Sequence, residues 1–198
     1  MEKQTFTILV VVIVVLIFNC SFFFFIVFFT FKPFPTNFKQ CTLTYSLYKN
    51  NLYDSPFNML DWRWRTPEVA NAFAARPDVI VHARSMFLQG LFFREPSGWP
   101  GPIKGVNPAF MVSKLKQLVI DCNKKNMAEL CVSFSLSPAN NFITCFLTGV
   151  DNLAQLEMNI SSFKDTIPLT IEQVAHVEKT LGKVPEDLLD PRFWPKKN

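Results

Sequence analysis

The chain has 198 residues and a formal net charge of +4, shared evenly between the first 40 residues and the remainder. No basic patch interleaved with aromatic residues occurs, so the sequence predicts no nucleic-acid partner. The five cysteines include no pair at C-x-x-C spacing and the two histidines lie far apart, which argues against a zinc site. The odd, scattered cysteines favour reduced, buried thiols over a disulfide framework.

The first forty residues differ from the rest of the chain. No charged residue occurs between Lys3 and Lys32, and half of the 22 phenylalanines fall in this region. The apolar run over residues 6–31 exceeds the roughly 20 residues that a bilayer-spanning helix needs. Its only small-residue cluster, at 19–21, precedes four phenylalanines, unlike a signal cleavage site. The sequence therefore predicts an N-terminal transmembrane helix and a single-pass membrane protein.

A misassigned gene start or a retained intron is the alternative origin of this leader, and the protein would then be cytoplasmic. The composition divides the chain into a hydrophobic leader or transmembrane segment (1–40), a transitional segment (41–55) and a body (56–198). The body is too short for two large domains and long enough for one hydrophobic core.

Helices alternate with apolar strands along the body. Helices are predicted over 68–75, from 107 to near 124, over 127–136 and 153–163, and from a Thr170/Gln173 capping box to Gly182. Strands are predicted over 79–87 and 142–147, with a short third strand over 57–60. This alternation indicates parallel strands joined by helical crossovers.

Two of these strands run into polar loops that contain a glycine. One loop reaches Gly90, and the other passes Gly149 and leads into a helix that begins after Asn152. A helix N-terminus offers free N–H groups and the positive end of a dipole to an anion. Because phosphate sites of β/α barrels commonly lie after the last strands, these loops indicate a cofactor site. An ordinary strand–turn–helix junction is the alternative.

Three motifs resemble the C-terminal part of the aldo/keto reductases, which are (β/α)8 barrels that use NADP(H). They are PFNMLDWRW (56–64), RSMFLQGL (84–91) and GVDNLAQLEMN (149–159). The resemblance runs from about Pro56 to Trp194. It implies an α/β fold, a partial (β/α)8 TIM barrel with about strands six to eight and their helices, here truncated and preceded by the predicted transmembrane helix.

The resemblance also implies an NADP-dependent oxidoreductase with a small carbonyl or sugar substrate. The implied cofactor-binding residues are Ser85, Phe87 and Gln89 at the pyrophosphate and ribose, and Val150, Asp151, Gln155, Met158 and Asn159 at the adenosine end. Gly149 would let the backbone come close to the cofactor. The chain departs from the family at Gln155 and Met158, where a basic residue and a Glu are common. It also departs near Asp54, where the family usually has a Gln that supports the nicotinamide amide.

The family's catalytic set is a Tyr general acid surrounded by a Lys, an Asp and a His, which belong to the first half of the barrel. The tyrosines here, Tyr45, Tyr48 and Tyr53, have no Asp and Lys at the family spacing, so no catalytic residue is assigned. Arg84, at a strand end, either pairs with a carboxylate or contacts cofactor. A catalytically inactive remnant, or a membrane-anchored binding or interaction protein, is the alternative function, and the oligomeric state is left open.

Overall fold

A computed structural model describes the backbone of residues 9–15, 24–30, 52–150 and 152–195, and the side-chain surroundings of 53–150 and 152–195. Its strands are β1 (Leu9–Val15), β2 (Phe24–Thr30), β3 (Leu52–Pro56), β4 (Ile80–Arg84) and β5 (Cys145–Val150). Its α-helices are α1 (Pro67–Ala75), α2 (Pro108–Asp121), α3 (Met127–Ser135), α4 (Leu153–Asp165), α5 (Ile171–Leu181) and α6 (Glu186–Leu189). Short 3-10 turns cover Trp62–Arg65, Leu88–Phe93, Pro96–Gly98, Pro138–Asn140 and Pro191–Phe193.

The described strands form one five-stranded sheet in the order β1-β2-β5-β4-β3. β3 pairs with β4 and β4 pairs with β5 in parallel, as the alternation of strands and helices predicted. Helical crossovers join these three strands, so the body is an α/β fold with a small parallel sheet. Asp54 lies opposite His82, and His82 lies opposite Cys145, which sets the register across the three strands.

The transmembrane helix predicted over residues 6–31 is wrong for the part of this range that the structure describes. Leu9–Val15 and Phe24–Thr30 are antiparallel strands, and β2 continues the sheet by pairing with β5. Val, Ile and Phe favour strands, because branched and aromatic side chains pack well on a pleated surface. Among the residues that the structure describes, no helix is both long and apolar enough to cross a bilayer.

The third predicted strand, over 57–60, is also wrong. The strand lies just before it, at Leu52–Pro56, within the segment whose hydrophobic pattern showed no clear period. Residues 57–60 form a buried turn, because the Asn58 side chain accepts a hydrogen bond from the N–H of Leu60 at 3.0 Å. The predicted boundary between residues 55 and 56 therefore falls inside β3; the division into three segments stays a prediction.

The helix predictions are confirmed, because local capping contacts fix the helix ends. Thr170 and Gln173 form the predicted capping box, and Gly182 ends α5 with a φ of 67°. The side chains of Asn107 and Asn152 accept hydrogen bonds from the third N–H of α2 and α4. Thr66 is the exception, because its side chain makes no capping hydrogen bond to α1.

Phe57 stands at the centre of the core, directly after β3. Its side chain is fully buried, and its ring lies 5.6 Å from Trp64, 6.0 Å from Phe134 and 6.1 Å from Phe146. These partners belong to the Trp62–Arg65 turn, to α3 and to β5. Phe57, directly after the edge strand β3, therefore packs against both the sheet and the covering helix α3.

The turn over Trp62–Arg65 connects the same region to the C-terminal helices. The Arg65 guanidinium lies 4.6 Å from the Phe134 ring centre and forms an ion pair with Glu178 of α5. The Trp62 ring N–H donates to the Val184 carbonyl at 3.0 Å, and the Trp64 ring N–H donates to Pro56 at 2.6 Å. Both tryptophans therefore pack against the body.

A disulfide test distinguishes the β1–β2 hairpin from a helix. Val12 and Val27 are opposite one another in the ladder, where Cα atoms are about 4.5–5.5 Å apart, within the range that a disulfide spans. In a continuous helix the two residues would be about 22 Å apart. We expect Val12→Cys with Val27→Cys to cross-link on mild oxidation, as measured by non-reducing peptide mass spectrometry.

The matched control is Val12→Cys with Phe24→Cys, because Phe24 lies opposite Val15 and is three residues, about 10 Å, out of register with Val12. Equal cross-linking of both pairs, or of neither, would contradict the hairpin.

Phe57→Ala should strongly destabilise the protein. Removing a fully buried phenylalanine loses its transfer free energy and leaves a cavity, at a cost of about 3–5 kcal/mol. Phe110→Ala is the control, because Phe110 is 59% exposed and should change the free energy of unfolding by at most about 0.5 kcal/mol. Urea unfolding of both variants measures the difference, and equal losses would show that Phe57 is not central to the core.

Candidate cofactor site

The carboxyl ends of the three parallel strands lie at one edge of the sheet. β3 ends at Pro56, β4 at Arg84 and β5 at Val150, and each strand continues into a loop at that edge. The N–H of Phe57 donates to the Arg84 carbonyl at 2.8 Å, which extends the contact between the first two strands by one residue. Open α/β sheets bind ligands at this edge, so it is the first place to look for a site.

The loop after β4 has an unusual backbone. Ser85, Leu88 and Gln89 have positive φ angles of 62°, 45° and 50°, and Gly90 has 75°. The Ser85 turn ends β4 three residues earlier than predicted. Left-handed conformations of non-glycine residues cost roughly 1–3 kcal/mol each and tend to cluster at functional sites. Here burial of Leu88 and a 2.8 Å hydrogen bond from its N–H to the Ser85 carbonyl hold the loop.

A cavity of about 820 Å³ opens beside this loop, within the usual range for ligand pockets. It runs along β3 and is bounded by α1, by the Ser85–Gly90 loop and by the C-terminal tail. Of the predicted cofactor residues, Ser85 and Gln89 line it. Phe87 is half-buried behind them and packs on Phe93, with ring centres 5.4 Å apart.

Four arginines line the cavity: Arg63, Arg76, Arg84 and Arg192. Three of them are chelated by an aspartate two residues away, through two contacts of 2.5–2.9 Å each: Arg63 by Asp61, Arg76 by Asp78 and Arg192 by Asp190. The hydrogen bonds to Arg192 lower the pKa of Asp190 to about 2, and those to Asp61 raise the pKa of Arg63. Each of these guanidiniums therefore has two of its nitrogen atoms engaged by its own aspartate.

No sequence motif indicated Arg63, Arg76, Arg192 or Asp190 as site residues. A signal was present, because an arginine and an aspartate two residues apart recur at 61/63, 76/78 and 190/192. That spacing allows a side-chain chelate within a turn. It does not say that the three chelates surround one cavity, because they are separated by up to 131 residues of chain.

The second predicted loop leads into α4, as expected. The Asn152 side chain accepts a hydrogen bond from the N–H of Gln155 at 2.9 Å and thereby caps the helix. Gly149 is exposed and Val150 is buried. Asp151 lies outside the described residues.

The predicted residues on α4 have different surroundings. Gln155 is half-buried and Met158 is 62% exposed. The Asn159 side chain donates to the Thr148 hydroxyl of β5 at 2.8 Å, so it connects the helix to the sheet. Among the described residues, those predicted on β5 and α4 do not line the 820 Å³ cavity. The structure thus brings together Ser85 and Gln89, whereas the described adenosine-end residues do not line their cavity.

A row of titratable groups crosses the parallel strands on one face. Asp54, His82 and Cys145 lie opposite one another in register. Burial lowers the pKa of His82, although Asp54 opposes this effect. Burial, with a smaller contribution from Asp54, raises the pKa of Cys145 to about 12. A neutral thiol and a neutral imidazole favour a packing role for His82 over nucleophilic chemistry.

No family model matches the sequence, and no curated protein matches it either. Solved structures that match are the apo and holo forms of the aldo-keto reductase AKR11C1 from Bacillus halodurans, each at 19% sequence identity and a TM-score of 0.49. The matches cover 73% of this chain and 50% and 49% of the respective reductase chains. The chain therefore spans about half the length of that reductase, a member of the family that the sequence motifs resemble.

Cys145 should be unreactive in the folded protein. With a pKa of about 12, only about one thiol in ten thousand is ionised at pH 8, and the thiolate is the reactive form. We expect iodoacetamide at pH 8 to leave Cys145 unmodified in the native protein and to alkylate it in 8 M urea, as mapped by peptide mass spectrometry. Native alkylation as fast as in urea would contradict the buried position of the thiol.

Proposed function

We propose that this chain is the cofactor-binding part of an NADP-dependent oxidoreductase of the aldo/keto reductase type, with strands that correspond to about six to eight of a (β/α)8 barrel. The observation that carries the proposal is the left-handed loop from Ser85 to Gly90, which borders a cavity of about 820 Å³. Backbone strain at the carboxyl edge of parallel strands is typical of ligand loops. The substrate class proposed is small carbonyls or sugars.

The donors around the cavity fit a pyrophosphate. Ser85 offers a hydroxyl, Gln89 an amide, and Arg84 a guanidinium that no hydrogen bond within the described residues engages. Phosphate oxygens accept from donors of these kinds. In the proposed complex Ser85, Phe87 and Gln89 hold the pyrophosphate and ribose. NADP(H) would supply the hydride, and the chain's own residues bind and orient the cofactor.

The adenosine end of the proposed cofactor lies at α4. The residues proposed for the adenosine end are Val150, Asp151, Gln155, Met158 and Asn159, and Gly149 lets the backbone come close. Support comes from the exposed Met158 side chain and the helix N-terminus after Asn152, which favours negative charge. Asn159 would have to release Thr148 before it could bond to an adenine. The departures at Gln155 and Met158 weaken the proposed contact with a 2′-phosphate.

A second candidate is a binding protein without catalytic activity. Tyr53 is the tyrosine within the described residues, and its ring packs edge-on against Trp64 and Phe73, each at 6.0 Å. No hydrogen bond to its hydroxyl is found in that part of the chain, whereas a tyrosine general acid needs a neighbouring cation to lower its pKa. This observation favours cofactor binding without proton transfer.

Titration of the full-length chain with NADPH, followed by cofactor fluorescence, tests the proposal. We expect a saturable change, weakened about tenfold or more by Gly90→Val, because a β-branched residue cannot readily adopt the φ of 75°. Gly182→Val is the matched control, since Gly182 has a φ of 67° at the end of α5, away from the cavity. It should lower stability and leave NADPH affinity unchanged.

Absence of any saturable change with the wild-type chain would refute the proposed function. Equal weakening by Gly182→Val and Gly90→Val would show that general destabilisation, and not the Ser85–Gly90 loop, controls binding.

A further inference from the structure

Arg84 differs from the other three arginines of the cavity. Arg63, Arg76 and Arg192 each make two short hydrogen bonds to their own aspartate. The Arg84 guanidinium forms an ion pair with Asp54 in which Nε lies 3.5 Å from Oδ2, longer than the usual hydrogen-bond distance, and no hydrogen bond of this guanidinium is found among the described residues. Its donors are therefore available to a ligand.

The backbone of Arg84 is held in the sheet, whereas its side chain makes, among the described residues, only the long ion pair with Asp54. The backbone carbonyl of Arg84 accepts from Phe57 N–H at 2.8 Å, and the residue lies opposite Pro56 at the end of the β3–β4 ladder. Ser85, the next residue, begins the left-handed loop and lines the same cavity. A flexible side chain thus extends from a rigid strand end, next to a polar loop.

We propose that Arg84 is the anion-binding residue of this cavity and that it exchanges Asp54 for a phosphate oxygen when ligand binds. The nature of the ligand, a pyrophosphate-containing nucleotide, rests on the proposed function. A guanidinium can bond two oxygens of one phosphate at once. The present ion pair joins two side chains that are each 49% exposed, and exposed pairs contribute little to stability.

Asp54 has a defined part in this exchange. Without a bound anion, the Asp54 carboxylate offsets the charge of Arg84. When an anion approaches, the same carboxylate repels its negative charge. Replacing Asp54 should therefore tighten anion binding, while replacing Arg84 should weaken it. Opposite effects of the two replacements exclude loss of fold as their cause, because loss of fold would weaken binding in both variants.

The test measures inorganic pyrophosphate binding by calorimetry and NADPH binding by fluorescence, on the full-length chain and its variants. Arg84→Met should weaken pyrophosphate binding about tenfold or more, the usual scale for a charge-assisted hydrogen bond. Asp54→Asn should tighten it severalfold. In the double variant the gain from Asp54→Asn should be clearly smaller, because no guanidinium remains to be released and only the relief of charge repulsion contributes.

Arg76→Met is the matched control. Arg76 lines the same cavity and is similarly exposed, at 54%, but is chelated by Asp78; its replacement should change affinity less than twofold. Wild-type pyrophosphate affinity in Arg84→Met would overturn the proposal. Equal tightening by Asp54→Asn with and without Arg84 would also overturn it, since that result requires only long-range charge.

The two proposals can fail separately. If NADPH does not bind but pyrophosphate binding depends on Arg84 as stated, the anion site stands and the cofactor assignment falls. If NADPH binds and neither Arg84→Met nor Asp54→Asn changes its affinity, the cofactor assignment stands and the exchange is refuted. Circular dichroism monitors folding, and if Arg84→Met unfolds, Arg84→Gln, which keeps a polar side chain, takes its place in the single and double variants.

Discussion

The packing of Phe57 is the interaction on which the rest of the structure depends. A single fully buried ring contacts the turn after β3, helix α3 and strand β5. Because β3 is an edge strand, it has a ladder partner on one side only, and core packing directly after it helps to hold its parallel register with β4. That register places Asp54 beside His82 and Pro56 beside Arg84, and so defines the edge at which the cavity opens.

Rigid and adaptable groups meet at this edge. The Ser85–Gly90 loop keeps its left-handed backbone because Leu88 is buried beneath it. Around it, three arginines are locked by their own aspartates, whereas Arg84 has one loose partner. Binding sites need preorganised groups, which avoid the entropic cost of ordering, together with one or a few donors that the ligand can engage. The arrangement supplies both from residues that are distant in sequence.

The hairpin of β1 and β2 adds antiparallel strands to the parallel sheet. β2 is antiparallel to β5 along six residue pairs, so it covers the β5 edge with a partner of opposite direction. In a closed (β/α)8 barrel every neighbouring strand is parallel. The described sheet is thus a parallel three-stranded unit with an antiparallel extension. An apolar leader of Val, Ile and Phe pairs with the strand edge that this unit leaves open.

The sequence by itself determined the helices and the parallel direction of strands β4 and β5. The caps at Asn107, Asn152 and Thr170 are contacts within three residues, and such contacts can be read from local chemistry. Only the tertiary structure decided that residues 9–15 and 24–30 are strands, because a continuous apolar run has no period that separates strand from helix. It alone decided that Arg63 and Arg192 share a cavity and that Asp54 faces Arg84. These pairs meet through strand register and core packing, which are long-range and leave no local pattern in the chain.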